Sequence, residues 1–221
     1  MPPSPPSLTL ILAATPSLGI GKNGTLPWPQ LKKEMGYFAR VTKRVHTPPS
    51  TPGARRVNAV LMGRKTWESI PPRFRPLKDR LNIVVTRSPG AFSSAVKEEG
   101  EVGVEGPLVA SSIGDALARL RSSQRVAGEE VQVERVYVIG GASVYEQALE
   151  MRECERVLLT RIKGEFECDT FFTGWDEGDW REVGKSELRE FTGEGESVEG
   201  VVAEQGVEFE FCLFERRGVG E

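Results

Sequence analysis

The chain has 221 residues, 38% of them hydrophobic and 28% charged, which is ordinary for a globular chain that buries a full core. Lys and Arg number 29 against 32 for Asp and Glu, a net charge of −3, so no global field draws the chain to nucleic acid or an anionic membrane and any basic site is local. Cys154, Cys168 and Cys212 are far apart with no C-x-x-C spacing, which encodes neither a zinc site nor a disulfide framework and fits the reducing cytosol.

Residues 1–7, rich in Pro and Ser, read as a disordered tail without the cationic start of a signal peptide. The apolar run Leu8 to Ala14 that follows is too short to span a bilayer. It opens a series of doubly apolar runs, Val57 to Gly63, Leu81 to Thr86, Glu134 to Ile139 and Arg156 to Ile162, expected to be buried strands. Between them Gln30 to Thr42, Arg64 to Ser69, Ile113 to Arg121 and Ala142 to Leu149 carry helical spacing. Pro48 to Arg56, Ser93 to Gly106 and Ser122 to Glu130 are expected to be surface insertions. Trp180 to Glu187 and Val207 to Glu215 alternate in period two around the acidic Thr192 to Gln205, which predicts a closing antiparallel hairpin. The expected fold is α/β: a single domain over residues 8–217, with a mostly parallel central sheet flanked by helices, a C-terminal antiparallel hairpin and a short tail at 218–221.

The lone histidine, His46, adjoins a proline-rich stretch and is expected to be a solvated loop residue, so His-based triads, proton shuttles and metal sites are poor readings. Gly19-Ile20-Gly21-Lys22-Asn23-Gly24 matches G-x-G-x-x-G literally. The dinucleotide motif needs its last glycine to open a helix, whereas here Leu26-Pro27-Trp28-Pro29 intervenes and favours an extended turn. A flexible active-site loop is expected instead. In the helix that follows, Leu31, Glu34, Met35 and Phe38 share one face by the i, i+3, i+4, i+7 rule, placing a glutamate inside an apolar stripe. A carboxylate there must find a hydrogen-bonding partner or take up a proton, and a ligand with a paired N–H fork supplies one.

Gly19-Ile20-Gly21-Lys22-Asn23-Gly24-x-Leu26-Pro27-Trp28, then Met62-Gly63-Arg64-Lys65-Thr66-Trp67-Glu68-Ser69-Ile70-Pro71, Arg75-Pro76-Leu77, Val138-Ile139-Gly140-Gly141-Ala142-Ser143-Val144-Tyr145 and Asp169-Thr170-Phe171-Phe172 together resemble dihydrofolate reductase. The resemblance runs in order from about Leu8 to about Phe214 and is similar to a eukaryotic, fungal form without a fused thymidylate synthase. It implies a cytoplasmic, monomeric enzyme that transfers a hydride from NADPH to pterin C6 of dihydrofolate while N5 gains a proton, and that antifolates inhibit. It implies no metal, membrane or nucleic-acid partner.

By this resemblance Glu34 is the active-site carboxylate that pairs with the 2-amino and N3 groups of the pterin, with water as the immediate proton donor to N5. Trp28 anchors a water bridging to Glu34, Thr160 hydrogen-bonds the carboxylate, and Leu26 belongs to the catalytic loop. By residue type alone Trp28 and Thr160 read as packing residues. Ile11, Leu12, Met35, Phe38, Ile70, Leu77, Ile139 and Tyr145 are implied to line the folate cleft, where hydrophobicity alone makes most of them core. Arg80 is implied to grip the α-carboxylate of the glutamate tail, as a planar guanidinium can with two parallel bonds; taken alone it reads equally as a strand-end arginine paired to Asp79.

For the cofactor the resemblance implies Ala13, Ile20, Gly24, Gly63, Arg64, Lys65, Thr66, Thr86, Arg87, Ser111, Gly140, Gly141, Ala142, Ser143 and Val144. Missing side chains at Gly140-Gly141 let backbone approach the dinucleotide, while Arg64, Thr86 and Arg87 are placed for the adenosine 2′-phosphate. Both Gly140-Gly141 and Arg75-Pro76 are implied to be cis. Ser111 stands where vertebrate members commonly carry an arginine, Phe74 where a polar residue is frequent and Met35 where an aromatic is frequent, so inhibitor selectivity does not carry over. A related reductase of the riboflavin-pathway type shares fold and cofactor but is disfavoured by Glu34 and Arg80 occurring with the Leu26-Pro27-Trp28 loop. A nucleic-acid module built on Lys32, Lys33, Arg40, Lys43, Arg44, Arg55 and Arg56 is opposed by net charge and by Phe38 on the buried face. A non-catalytic folate binder has the same sequence signature.

Overall fold

The computed structural model describes residues 6–99, 103, 105–120, 124–126 and 128–218. Of the expected tails, 1–5 and 219–221 lie outside the described residues, as do Arg121 and parts of the insertions at 100–104 and 121–127. In chain order the first elements are β1 (Leu8–Ala14), β2 (Gly19–Gly21), α1 (Lys32–Lys43), β3 (Arg55–Gly63), α2 (Arg64–Ser69), β4 (Arg80–Val85), α3 (Pro89–Glu99) and β5 (Leu108–Ala110). There follow α4 (Ile113–Leu120), β6 (Gln124–Val126), β7 (Glu129–Val138), α5 (Ala142–Leu149), β8 (Cys154–Ile162), β9 (Thr170–Phe171), β10 (Trp180–Glu182), α6 (Lys185–Thr192), β11 (Val202–Glu204) and β12 (Val207–Arg216). The contacts cluster into two compact units, one of residues 1–8 and 42–141, the other of 9–41 and 142–221.

In the first unit β7, β3, β4 and β5 run parallel in that order, with β6 antiparallel against β7. Parallel neighbours need crossovers, and α2, α3 and α4 connect these strands. The strands are buried on both faces, as Ala59, Val60, Leu61 and Met62 of β3 and Leu81, Ile83 and Val84 of β4 show, which is why they read as continuous apolar runs. The second unit is antiparallel where the chain closes. β12 pairs β8 from Phe209 against Ile162 to Glu215 against Arg156 and also carries β10 and β11. The expected antiparallel pairing is the β10–β12 ladder, Trp180 against Arg216 to Glu182 against Phe214, while Gln205 and Gly206, with φ of 51° and 76°, make a second, tight turn from β11 into β12. Trp175 stacks on Trp180 at 5.2 Å and meets Phe214 edge-on, filling the core beneath.

Three expectations are corrected. Trp180 to Glu187 is a strand only as far as Glu182; Lys185–Thr192 is a helix, started where Glu187 accepts the Gly184 N–H at 2.8 Å and stopped by Gly193 at φ 68°. Its alternating look came from a helix that buries only Leu188 and Thr192, four apart. Much of Ser93 to Gly106 is not an irregular insertion: Ser93 to Glu99 belong to α3, whose Pro89 sits at the first helical position. Arg55 and Arg56 of the first insertion and Gln124 to Val126 and Glu129 of the third are strand residues.

Asn82, fully buried on β4, sews the 75–80 segment to the sheet. Its Oδ1 accepts the Leu77 N–H at 2.9 Å, and its Nδ2 donates to the carbonyls of Leu77, Arg80 and Glu105 at 2.9, 3.1 and 3.1 Å. Removing that amide leaves four backbone groups, part-buried or buried, without their side-chain partner. Asn82→Ala should therefore lose about 3 kcal/mol of stability in urea unfolding, and a loss below about 1 kcal/mol would show that the segment re-satisfies itself.

Candidate active site

The G-x-G-x-x-G stretch does not open a helix. β2 pairs antiparallel with β9, and Lys22 and Thr25 exchange backbone hydrogen bonds at 2.9 and 3.0 Å around a two-residue turn. Asn23 and Gly24 take φ of 50° and 75°, the combination that makes Asn-Gly a hairpin turn. Three carboxylates on one short segment hold this loop: Glu165 accepts from Ser17 at 2.8 Å, Glu167 from Lys22 at 2.7 Å and Asp169 from the Asn23 N–H at 2.7 Å. Cys168 packs so closely on Gly19 that a Cβ there would meet its sulfur at 2.3 Å. The loop delivers Leu26, 49% exposed, and then Trp28, which is buried with no protein acceptor for its indole Nε1–H.

Glu34 lies in the first turn of α1 and Thr160 on β8; the threonine hydroxyl donates to Glu34 Oε1 at a long 3.4 Å. The residue is half-buried. Desolvation pushes its carboxyl up from the ordinary 4.5 to about 7, opposed only by the Thr160 hydrogen bond. The face expected to be buried is rotated: Tyr37 and Val41 are the buried residues, Phe38 is half-buried and Met35 is 43% exposed. Tyr37 stacks on Phe211 at 4.0 Å, and this aromatic contact sets the helix rotation. Glu34 is three residues before Tyr37 and stays on the inward side, which leaves Met35 to turn outward.

Behind the carboxylate, Tyr145 of α5 is buried and donates its hydroxyl to the Ile11 carbonyl at 2.9 Å. Burial, and then the Glu34 charge, push the phenol well above its ordinary range, so it stays a donor. The same unit holds Ile11 and Leu12, both buried, and half-buried Ala13 on β1, with Ile20 on β2. Ala142, Ser143 and Val144 form the first turn of α5.

The first unit gathers the remaining residues. Arg80, 5% exposed, donates through Nη1 to the Thr42 hydroxyl at 2.7 Å and through Nε to the Lys78 carbonyl at 3.1 Å. Burial lowers its pKa to about 10, with Asp79 opposing, so it remains a cation at neutral pH. Ile70 and Leu77 are half-buried in the segments before it. Arg64, Thr86, Arg87 and Ser88 line a cleft of about 360 Å³ together with Glu68 and Phe92. Lys65 and Thr66 follow Gly63 at the start of α2. Gly140, at φ 111°, and Gly141 are joined by a cis peptide after half-buried Ile139, and a Cβ on Gly141 would meet the Thr66 hydroxyl at 3.4 Å. Arg75-Pro76 is cis as well. Ser111 is engaged elsewhere: its N–H and hydroxyl both bond Asp115 at 2.9 and 3.1 Å, capping α4.

Sequence reasoning missed Thr42, Asn82 and the Glu165–Asp169 segment, because a buried polar partner carries no periodic signal. His46 gains a partner that its sequence context does not announce. It is an exposed residue between α1 and β3, as expected, and in addition its N–H and Nδ1 lie 2.7 and 3.2 Å from Glu134 Oε1. Burial pushes the Glu134 carboxyl up, but hydrogen bonds from His46, Thr47 and Arg56 outweigh it and hold it down to about 2. Among the described residues no cluster of His, Cys, Asp and Glu is arranged to hold a metal, and no helix is long and apolar enough to cross a membrane.

A family model described as dihydrofolate reductase matches residues 7–200. The dihydrofolate reductase of Pneumocystis carinii is 41% identical over 217 residues, covering 95% of this chain and 97% of that one. That of Cryptococcus neoformans is 38% identical over 237 residues, with 96% and 95% covered. The solved Schistosoma mansoni dihydrofolate reductase superposes with a TM-score of 0.70 at 32% identity, covering 96% of this chain and 100% of that chain. A half-buried carboxylate answered by one threonine, on a chain with this extent of likeness, leads to one conclusion: the chain belongs to the dihydrofolate reductase family and reduces dihydrofolate to tetrahydrofolate.

Proposed function

We propose that Glu34 is the group that holds and protonates the pterin, and that Arg80 holds the carboxylate of its tail. The observation that carries the first assignment is the desolvated Glu34 carboxyl with a single long hydrogen bond from Thr160. A carboxylate so placed gains most from a ligand with two adjacent N–H donors, which is what the 2-amino and N3 groups of a pterin offer. With a pKa near 7 it also exchanges a proton close to neutral pH. The buried Trp28 indole N–H supports a water relay from Glu34 toward N5. Leu26 is the loop residue exposed enough to cover the ring, and Ile11, Leu12, Phe38 and Tyr145 shape the apolar wall.

NADPH is the cofactor that the residues fit. A cleft with two guanidinium groups and two hydroxyls suits a dianionic phosphate, and Gly140-Gly141 leaves backbone bare beside the Thr66 hydroxyl, 3.4 Å from where a Gly141 Cβ would stand. Arg64, Thr86 and Arg87 would hold the 2′-phosphate, although Arg64 must exchange its 2.8 Å bond to Glu68 for it. Bound NADPH supplies the hydride for pterin C6. The unpaired thiols of Cys154, Cys168 and Cys212 support residence in a reducing, cytosolic compartment.

Replacing Arg64 and Arg87 together should raise the KM for NADPH by about 10-fold or more, since each charged hydrogen bond contributes roughly 1.5 to 3 kcal/mol before screening. The KM for NADH should hardly change, and equal shifts for both cofactors would remove the phosphate assignment. Arg80→Leu should weaken dihydrofolate by on the order of 2 to 4 kcal/mol while sparing small dihydropterins without a glutamate. A uniform loss would mean that Arg80 only supports the fold.

Glu34→Gln separates chemistry from stability. A folded carboxyl with its pKa raised from 4.5 to about 7 holds a proton that the unfolded chain releases, so its presence costs stability as pH rises through that window. Glutamine escapes that cost: the variant should be more stable by on the order of 2 kcal/mol at pH 8, a gain that vanishes below pH 4.5. Its single-turnover reduction of dihydrofolate at neutral pH should fall about 10²- to 10⁴-fold and recover as acid supplies substrate already protonated at N5. Wild-type rates with an unchanged pH profile would reduce Glu34 to a helix residue.

A further inference from the structure

The turn that delivers Arg80 contains a charge that the assignments above leave unused. Asp79 has a φ of 63°, a left-handed backbone that Asn and Asp tolerate but glycine adopts at lower cost. Its side chain is 62% exposed, yet its carboxylate sits between two cations, with Lys43 Nζ 3.0 Å from Oδ2 and Arg55 Nη2 3.9 Å from Oδ1. Arg55 is shared with Glu105 at 3.4 Å. Lys43 directly follows Thr42, whose hydroxyl receives Arg80 Nη1. Two consecutive residues at the end of α1 therefore engage Asp79 of the turn and Arg80, the first residue of β4. The Lys43 ammonium keeps the Asp79 carboxyl below its usual range, so the group is an anion at neutral pH.

Exposed pairs of this kind contribute little to stability. What they do change is the local field, because a fixed anion beside a carboxylate-binding arginine repels the carboxylate that the arginine receives. The same anion also occupies the two nearest cations. We propose that Asp79 is a specificity-determining residue, one that weakens the hold on acidic substrate tails and keeps Lys43 and Arg55 from binding a second tail carboxylate. This inference rests on the assignment of Arg80 to the tail.

The test compares Asp79→Asn and Asp79→Gly with the unaltered enzyme on two substrates, dihydrofolate, with two tail carboxylates, and a dihydropterin without a glutamate. Glycine relieves the backbone and asparagine does not, so agreement between them assigns the effect to charge. At about 20 mM salt both variants should lower the KM for dihydrofolate about 3- to 10-fold, leave kcat in place and leave the tailless substrate unchanged. The gain should shrink toward nothing at about 500 mM salt, where the Debye length is only a few ångström. Equal changes for both substrates, no change for either, insensitivity to salt, or a raised KM for dihydrofolate would each overturn the proposal, the last by making Asp79 a brace for Arg80. Arg80→Leu run in parallel separates the two failures. If it loses dihydrofolate selectively while the Asp79 variants change nothing, only the role of Asp79 falls; if it shows no selectivity, the tail assignment itself falls.

Discussion

Removing a carboxylate from water costs free energy that only a matched donor set restores. At Glu34 the protein supplies one hydroxyl at 3.4 Å and leaves the rest of the cost standing as a carboxyl titrating near 7. On the proposed assignment, a ligand with paired N–H groups relieves that imbalance, and affinity and proton transfer then come from one source. The surrounding packing maintains it. Tyr37 on Phe211 fixes the rotation of α1, and Tyr145 is tied to the Ile11 carbonyl rather than to the carboxylate. Either residue placed as a donor to Glu34 would lower its pKa.

Polar side chains do the positioning elsewhere too. In the first unit the parallel strands supply a rigid floor, but the irregular 75–80 segment has few backbone partners of its own, and the Asn82 amide provides them. Thr42 then sets the direction of the Arg80 guanidinium from the end of α1. A buried cation aimed by two neutral acceptors keeps its charge. The Gly19–Thr25 loop follows the same logic, with three carboxylates of the 165–169 segment taking up its donors.

Much was legible in the sequence because apolar periodicity reports burial directly. The doubly apolar runs became the buried strands β1, β3, β4, β7 and β8, and the helices at Arg64, Ile113 and Ala142 began at the expected residues. The ordered motifs pointed to the family because they include residue types that have no substitute where they stand, such as the turn glycines of the Gly19–Gly24 loop and the Gly140-Gly141 pair, whose peptide is cis. Proline on both sides of Trp28 was enough to reject a dinucleotide-binding helix after Gly24.

Tertiary structure decided what a single residue cannot announce. The rotation of α1 was set by Phe211, 174 positions after Tyr37 in the chain, so helical spacing misplaced Met35. α6 buries only two side chains, and so short a stripe is indistinguishable from alternation until Gly184 and Gly193 bound it. His46 is exposed as its proline-rich context suggests, but its partner, Glu134, is supplied by β7 and could not be read from that context. Residue types and their order along the chain determined the family and the chemistry; which polar group answers which, across 38 residues for Arg80 and Thr42 or 126 for Thr160 and Glu34, follows only from packing, because hydrogen bonds depend on distance in space and leave no period in the sequence.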